Sequence, residues 1–331
     1  MSTASAPAPR GFAQESLSSA DQAAAERLAA RLGELRGFLE THLIGASDLV
    51  ERLLVALLAD GHVLIEGAPG LAKTRAAKLL ADGLDAPLAR VQCTPDLMPA
   101  DITGASVWRP DRGVFEFIPG PVFHSLVLVD EINRAPPKVQ SALLEAMAER
   151  QTTAAGVTRR LPDPFMVVAT QNPIEHEGTF PLPEAQLDRF MLHAEVKAPD
   201  AAAERRILDL VEDEDACGPP APPRVLTAEE IVAARRAAGG VYLAPAVKDY
   251  IVRLASALRG AGGFSGAGKV EHPPSPRGAF LLGRDHAGPQ DVAALAVDTL
   301  SHRLILTWRA LAEGATPRGV VLALLDEIDP V

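Results

Sequence analysis

The chain has 331 residues, a formal charge of −11, 47% hydrophobic residues and only 4% aromatics. That length suits two domains of unequal size with aliphatic cores, and the acidic balance argues against nucleic acid as the principal partner, since such binding leans on Lys and Arg to neutralise phosphates. No run of about 18 apolar residues predicts a membrane span, no basic-then-apolar leader opens the chain, and Cys93 and Cys217 have neither metal spacing nor a framework partner, so a reducing, cytoplasmic setting is expected.

Residues 1–20, rich in Ala, Ser and Pro, read as a disordered tail. A helical pattern runs from Asp21 to about His42, and Leu43, Ile44 and Gly45 form a small apolar turn. A second helix over 47–59 has Ser47 as its expected N-cap and Leu49, Leu53, Leu54, Leu57 and Leu58 on one face. The turn at Ile44 and Gly45 could hold an adenine ring or serve packing alone.

The apolar run 62–66 predicts a buried strand, and GAPGLAKT follows it: Gly67, Ala68, Pro69, Gly70, Leu71, Ala72, Lys73 and Thr74. A strand, a glycine-containing turn and Lys-Thr opening a helix is the context of a phosphate-binding loop, whose backbone N–H groups point inward at a polyphosphate. Lys73 is expected to reach the β- and γ-phosphates and Thr74 to place its hydroxyl on Mg²⁺. Ala72 stands where the pattern has glycine, which is harmless if that position is already helical, with negative φ.

Residues 87–92 read as a short strand. Residues 107–109 and 114–117 flank Asp111 and Gly113 as a hairpin, either decoration or an element that touches a substrate or a neighbouring subunit. The stretch SLVLVDE, 125–131, predicts a central strand with Asp130 and Glu131 at its C-terminal end, where ligands bind in open α/β sheets. Two adjacent acids there are costly unless a cation neutralises one. Asp130 is expected to hold Mg²⁺, and Glu131 to orient and polarise the attacking water. A helix over 136–150, a hairpin over 151–162 and a strand over 165–170 follow, and the strand tip carries Asn172, which is expected beside Glu131. Glu175, His176 and Glu177 lack helical metal spacing and read as loop. After Pro199 a helix runs to about Val211, and CGPPAPP, 217–223, is the clearest linker. Beyond it four helical patterns, over 227–238, 244–259, 290–306 and 316–329, predict a small all-α domain. GFSGAGKV, 263–270, imitates a phosphate loop but has Val270 where a hydroxyl is needed and no strand before it. Arg277, in SPRG, is a candidate second cation for the γ-phosphate.

These stretches resemble the AAA+ ATPases, and the MoxR group in particular: EGAPGLAKT, QCTPDLMPADITG, GPVFHSLVLVDEINRAPPKVQSALLEAMAERQ, VATQNPIEHEGTFPLPEAQLDRF and SPRG. The likeness spans about 43–329, and MoxR-type loops commonly carry Ala at the place of Ala72. The resemblance implies an α/β P-loop core with a central parallel sheet over 21–215, a Pro-rich linker over 216–223 and a helical lid over 224–331. It makes residues 67–74 the Walker A loop, Asp130 and Glu131 the Walker B pair, Asn172 sensor 1, Arg277 sensor 2 and Arg189 an arginine finger acting on a neighbouring subunit's nucleotide. It further implies ATP and Mg²⁺, a homo-oligomeric and hexameric ring, and pore-facing hairpins at 102–117 and 151–162. In function it implies chaperone-like maturation of client enzymes, including metal-cofactor insertion, with a von Willebrand A-domain partner. Three alternatives stand beside it: a magnesium-chelatase-like motor subunit, a DNA-directed motor or transcriptional regulator, and a nucleotide-binding scaffold without turnover.

Overall fold

The computed structural model describes residues 19–154, 156–173, 178–218, 221–258, 286–306, 308–312 and 314–328. Arg277, the 263–270 decoy loop, the Glu175–His176–Glu177 run and nearly all of the predicted N-terminal tail lie outside the described residues.

The centre is a five-stranded, all-parallel sheet of β1 (Val63–Glu66), β2 (Leu88–Gln92), β5 (Leu126–Asp130), β8 (Met166–Gln171) and β9 (Leu192–Glu195), in the order β2-β5-β8-β1-β9. Every residue of β5 is buried, as expected of a strand covered on both faces. The register pairs Val129 with Ala169 and Glu66 with Gln171, so the C-terminal tips of β5, β8 and β1 lie side by side. β8, not β1, is the neighbour of β5.

One face of the sheet is covered by α1 (Ser19–His42), α2 (Ser47–Leu58) and α3 (Lys73–Gly83), whose leucines form an aliphatic core with Ile65, Leu128 and Val168. The other face packs Val127, Val129 and Val167 against α5 (Pro137–Glu149) through Val139, Leu143 and Met147. Ser47 is the first helical residue of α2, and the cap position falls on Ala46 without a side-chain hydrogen bond, so the expected Ser47 cap is corrected.

Two hairpins stand off this layer, the first wider than the forecast strands at 107–109 and 114–117 and the second two residues shorter than the forecast 151–162. The first pairs β3 (Gly104–Arg109) with β4 (Val114–Pro119) after the short α4 (Pro99–Thr103), and the second pairs β6 (Gln151–Ala154) with β7 (Val157–Arg160). The Arg159 guanidinium lies 3.7 Å over the Phe117 ring and joins them. Trp108 and Phe115 meet as a tilted pair, 5.1 Å between centroids, on the first hairpin, yet Phe115 is 71% exposed.

After α6 (Glu184–Leu187) and β9, α7 (Ala201–Cys217) starts on an Asp200 cap and runs two turns past the forecast, into the stretch read as linker. α8 (Ala228–Gly239) opens with a Thr227–Glu230 capping box, and its Ile231, Ala234 and Ala238 join the core cluster of α1 and α2. The remaining described helices are α9 (Pro245–Leu258), α10 (Pro289–Leu300), α11 (Trp308–Ala312) and α12 (Pro317–Glu327). α9, α10 and α12 share a separate cluster around Tyr250, Leu254, Val292 and Leu324. This part is helical apart from a two-residue parallel pair, β10 (Tyr242–Leu243) with β11 (His286–Ala287), which the sequence did not suggest.

Candidate active site at the sheet edge

The loop after β1 is shaped by its glycines. A Cβ on Gly67 would meet the Val196 carbonyl oxygen at 2.9 Å, and Gly70 has φ +83°, in the left-handed region. Ala72 also lies there, with φ 53° and ψ 19°, which corrects the expectation of a negative φ. The chain must reverse its twist to enter α3, and a glycine would do so without the Cβ cost of about 1–2 kcal/mol. The Lys73 ammonium turns back into the loop and donates to the carbonyls of Gly67 and Ala68. Glu66, at the root of the loop, has its carboxyl held below the usual range by contact with His193, with a smaller contribution from Lys73, against the opposing effect of burial.

The paired acids stand two strands away. Asp130 is buried and accepts from Thr74 Oγ1 at 3.1 Å and from Thr170 Oγ1 at 3.3 Å on Oδ1, and from Arg90 Nε at 2.7 Å on Oδ2. Glu131 takes a left-handed conformation (φ 56°, ψ 53°) that swings its side chain off the strand axis, while its N–H donates to Thr170 Oγ1 at 3.0 Å. Such backbone costs about 1–3 kcal/mol and persists only where neighbours over-determine it. Glu131 Oε2 accepts from Gln92 Nε2 at 3.1 Å and Arg134 Nη1 at 3.0 Å. Each acid therefore has its own cation from this chain: Arg90 for Asp130, Arg134 for Glu131. Beneath them burial, reinforced by the two carboxylates, pushes the Cys93 thiol up to about 12.

Lys73, Thr74, Asp130, Glu131, Asn172 and Arg90 line one cavity of about 410 Å³. Asn172 is buried, immediately past the end of β8. Gly70, Leu71 and Ala72 also border a second, apolar cavity of about 300 Å³, shared with Ile44, Gly45 and Leu210. Arg75 lies between the two and donates to the His42 carbonyl at 3.2 Å and to both oxygens of Glu214 on α7. Arg189 is exposed and lines a third cavity of about 460 Å³, with Gly61, Arg150 and Arg303. It borders neither of the other two.

The sequence did not single out Arg90, Gln92, Thr170 or Arg134. Arg90 and Gln92 were detectable in principle, as polar residues two apart on a short strand of apolar neighbours. Thr170 gains its place only from the pairing of β8 with β5, which the local sequence does not encode.

A buried parallel sheet with a phosphate loop on one strand tip and paired acids on the next but one defines a P-loop ATPase. Residues 62–192 match the ATPase family associated with various cellular activities (AAA), and residues 278–322 match the AAA lid domain. The chain is similar to Chaperone MoxR1 of Mycobacterium tuberculosis, 40% identical over 97% of this chain and 88% of that one. It is also similar to Protein MoxR of Methylorubrum extorquens, 33% identical over 80% and 84% of the two chains. A solved structure from Cytophaga hutchinsonii, ascribed to an ATPase, superposes with a TM-score of 0.82 at 33% identity, covering 94% of this chain and 98% of that one. The chain belongs to the MoxR family of AAA+ ATPases, and it is an ATP-hydrolysing enzyme.

Proposed function

We propose that six copies of this chain form a ring in the cytoplasm whose Mg²⁺-dependent ATP hydrolysis drives chaperone-like remodelling or maturation of client protein complexes. Metal-cofactor insertion into an enzyme, with a von Willebrand A-domain adaptor, is the form of maturation we favour, by analogy with the family. A relative of similar length is named a chaperone, which supports the client-directed part. The observation that carries the ring is a division of labour. The hydrolytic groups line one cavity, whereas Arg189 lines another and reaches outward from the same chain.

Lys73 offers its ammonium to the β- and γ-phosphates, giving up its two loop carbonyls. The Thr74 hydroxyl and the Asp130 carboxylate are hard oxygens 3.1 Å apart, a donor pair that fits Mg²⁺. The metal supplies charge neutralisation at the terminal phosphates. Glu131 accepts a proton from the attacking water, and Asn172 orients that water with its amide. Ile44 and Gly45 take the adenine ring into the apolar cavity. Arg189 stabilises transition-state charge on the neighbouring subunit's nucleotide, and Arg277 serves as a second cation from the lid. The partition into an ATPase core over 21–215, a linker over 216–223 and a lid over 224–331 is part of the same proposal. Exposed Phe115 and Trp108 give the first hairpin an apolar tip suited to gripping a client.

The test is ATPase rate per subunit against protein concentration, with mass followed by light scattering. A rate that climbs as the species grows toward a hexamer is expected, and a constant rate from a monomer overturns the ring.

A further inference from the structure

α10 ends at Leu300 and turns through Ser301–Arg303, directly against the loop that carries Arg189. The side chain of Arg303 is only 6% exposed. Its Nη2 donates to the Phe190 carbonyl at 3.0 Å and to the Asp188 carbonyl at 3.4 Å, and its Nε lies 3.3 Å from Asp188 Oδ1. His302 Nε2 stands 3.1 Å from the same Phe190 carbonyl and 3.4 Å from Arg303 Nε, so the ring packs between the guanidinium and the turn. Burial, helped by the charge of Arg303, keeps the His302 ring neutral at physiological pH.

The core's own hydrogen bonds do something different here. The N–H groups of Arg189 and Phe190 bond back to Gln186 and Leu187, and the Met191 N–H bonds to the His62 carbonyl at 2.9 Å, so the core shapes the turn through its donors and anchors its far end. The carbonyls on either side of Arg189, those of Asp188 and Phe190, are held instead from the lid. α10 is itself braced near its C-terminus, because Asp298 accepts from Arg52 on α2 at 2.7 Å and from Arg318 on α12 at 3.4 Å. A guanidinium suits this task because its rigid fork holds several acceptors at once.

We propose that Arg303, assisted by His302, is a positioning residue for Arg189. The lid of each subunit then sets the direction in which that subunit offers its arginine to its neighbour. This rests on the trans-acting role proposed above for Arg189. Any shift of the lid against the core then re-aims the group needed next door.

The test uses mixed assemblies of the full chain. A Lys73→Ala donor keeps Arg189 but cannot hydrolyse, and an Arg189→Ala acceptor keeps the phosphate site but lacks the arginine. Mixing the two is expected to restore turnover. If it does not, the trans role fails and this proposal fails with it, and that failure shows before residue 303 is touched. Arg303→Gln placed in the donor is expected to lower the restored rate by about 10–100-fold, the scale of a misplacement near 1 Å. The same change in the acceptor, whose arginine is already gone, is expected to leave the restored rate within about twofold, which also shows that the variant folds. Arg303→Lys in the donor is expected to recover part of the loss. Should Arg303→Gln fail to fold, His302→Phe, which removes the ring nitrogens and keeps a ring, carries the same asymmetry at lower amplitude. Equal losses in donor and acceptor, or no loss in the donor, overturn the positioning role.

Discussion

The phosphate-loop end of the sheet and the Arg189 turn are built on opposite plans. At the first, the charged groups are paired within the chain: Arg90 with Asp130, Arg134 with Glu131 and Lys73 with its own loop carbonyls. At the second, the flanking backbone is gripped by buried lid residues, while the Arg189 side chain is left exposed. One end is a receptor whose charges must be redirected before it works. The other is a projection, fixed at its base and exposed at its end, to which we assign work outside its own chain.

The largest expected effect separates the two ends. Arg189→Ala should cut turnover by about 10³–10⁵-fold while nucleotide binding, measured by a fluorescent ATP analogue, stays near the parent value. A matching loss of binding would erase the distinction. Next comes Glu131→Gln, for which ATP should remain bound and hydrolysis fall by about 10²–10⁴-fold in single-turnover assays. A normal rate would remove Glu131 from the chemistry and leave its left-handed backbone without a functional account.

Acid tests the buried surroundings of the Arg189 cavity. His62, whose Nδ1 accepts from the Val167 N–H at 3.0 Å, and His302 are both depressed to about 3, chiefly by burial. A depressed group is neutral in the fold, so its contribution to stability is intact above the unfolded value near 6.5 and declines as pH falls below it. Each ring should cost about 2 kcal/mol between pH 7.5 and 5, one proton per ring being taken up only on unfolding. Urea midpoints at pH 7.5 and 5 check the size, and imidazole resonances that titrate near 6.5 in the folded protein would contradict it. The smallest effect belongs to the loop. Ala72→Gly relieves left-handed strain of about 1–2 kcal/mol and returns about 0.4–1 kcal/mol as unfolded-chain entropy, so the melting midpoint should rise by a degree or two.

The same contrast explains what was legible in the sequence. GAPGLAKT and SLVLVDE are contiguous strings whose chemistry depends on one strand and the turn after it, so local pattern suffices to find them. The left-handed backbone of Ala72 escaped because residue identity argued for negative φ, and only the reversal into α3 demands otherwise. Thr170 escaped because its value depends on β8 lying between β5 and β1, which is a property of strand order. Arg303 and Asp188 are brought together by packing of the lid on β9, across a sequence distance that no periodicity bridges. α8 is the converse case. Its helix was legible, but its packing partner was not, because an amphipathic face does not state which core it will join.

The protection of Cys93 has a practical consequence. With its thiol raised to about 12, only about one molecule in 10⁵ carries a thiolate there at pH 7, so alkylating reagents and mild oxidants should pass it by. Cys217 is exposed and is the only other cysteine. It closes α7, one turn beyond the Glu214 that Arg75 ties to the phosphate-loop helix. The natural chain thus comes with a single addressable thiol, on the helix that borders the apolar cavity. A maleimide dye there would report nucleotide arrival without any engineered residue.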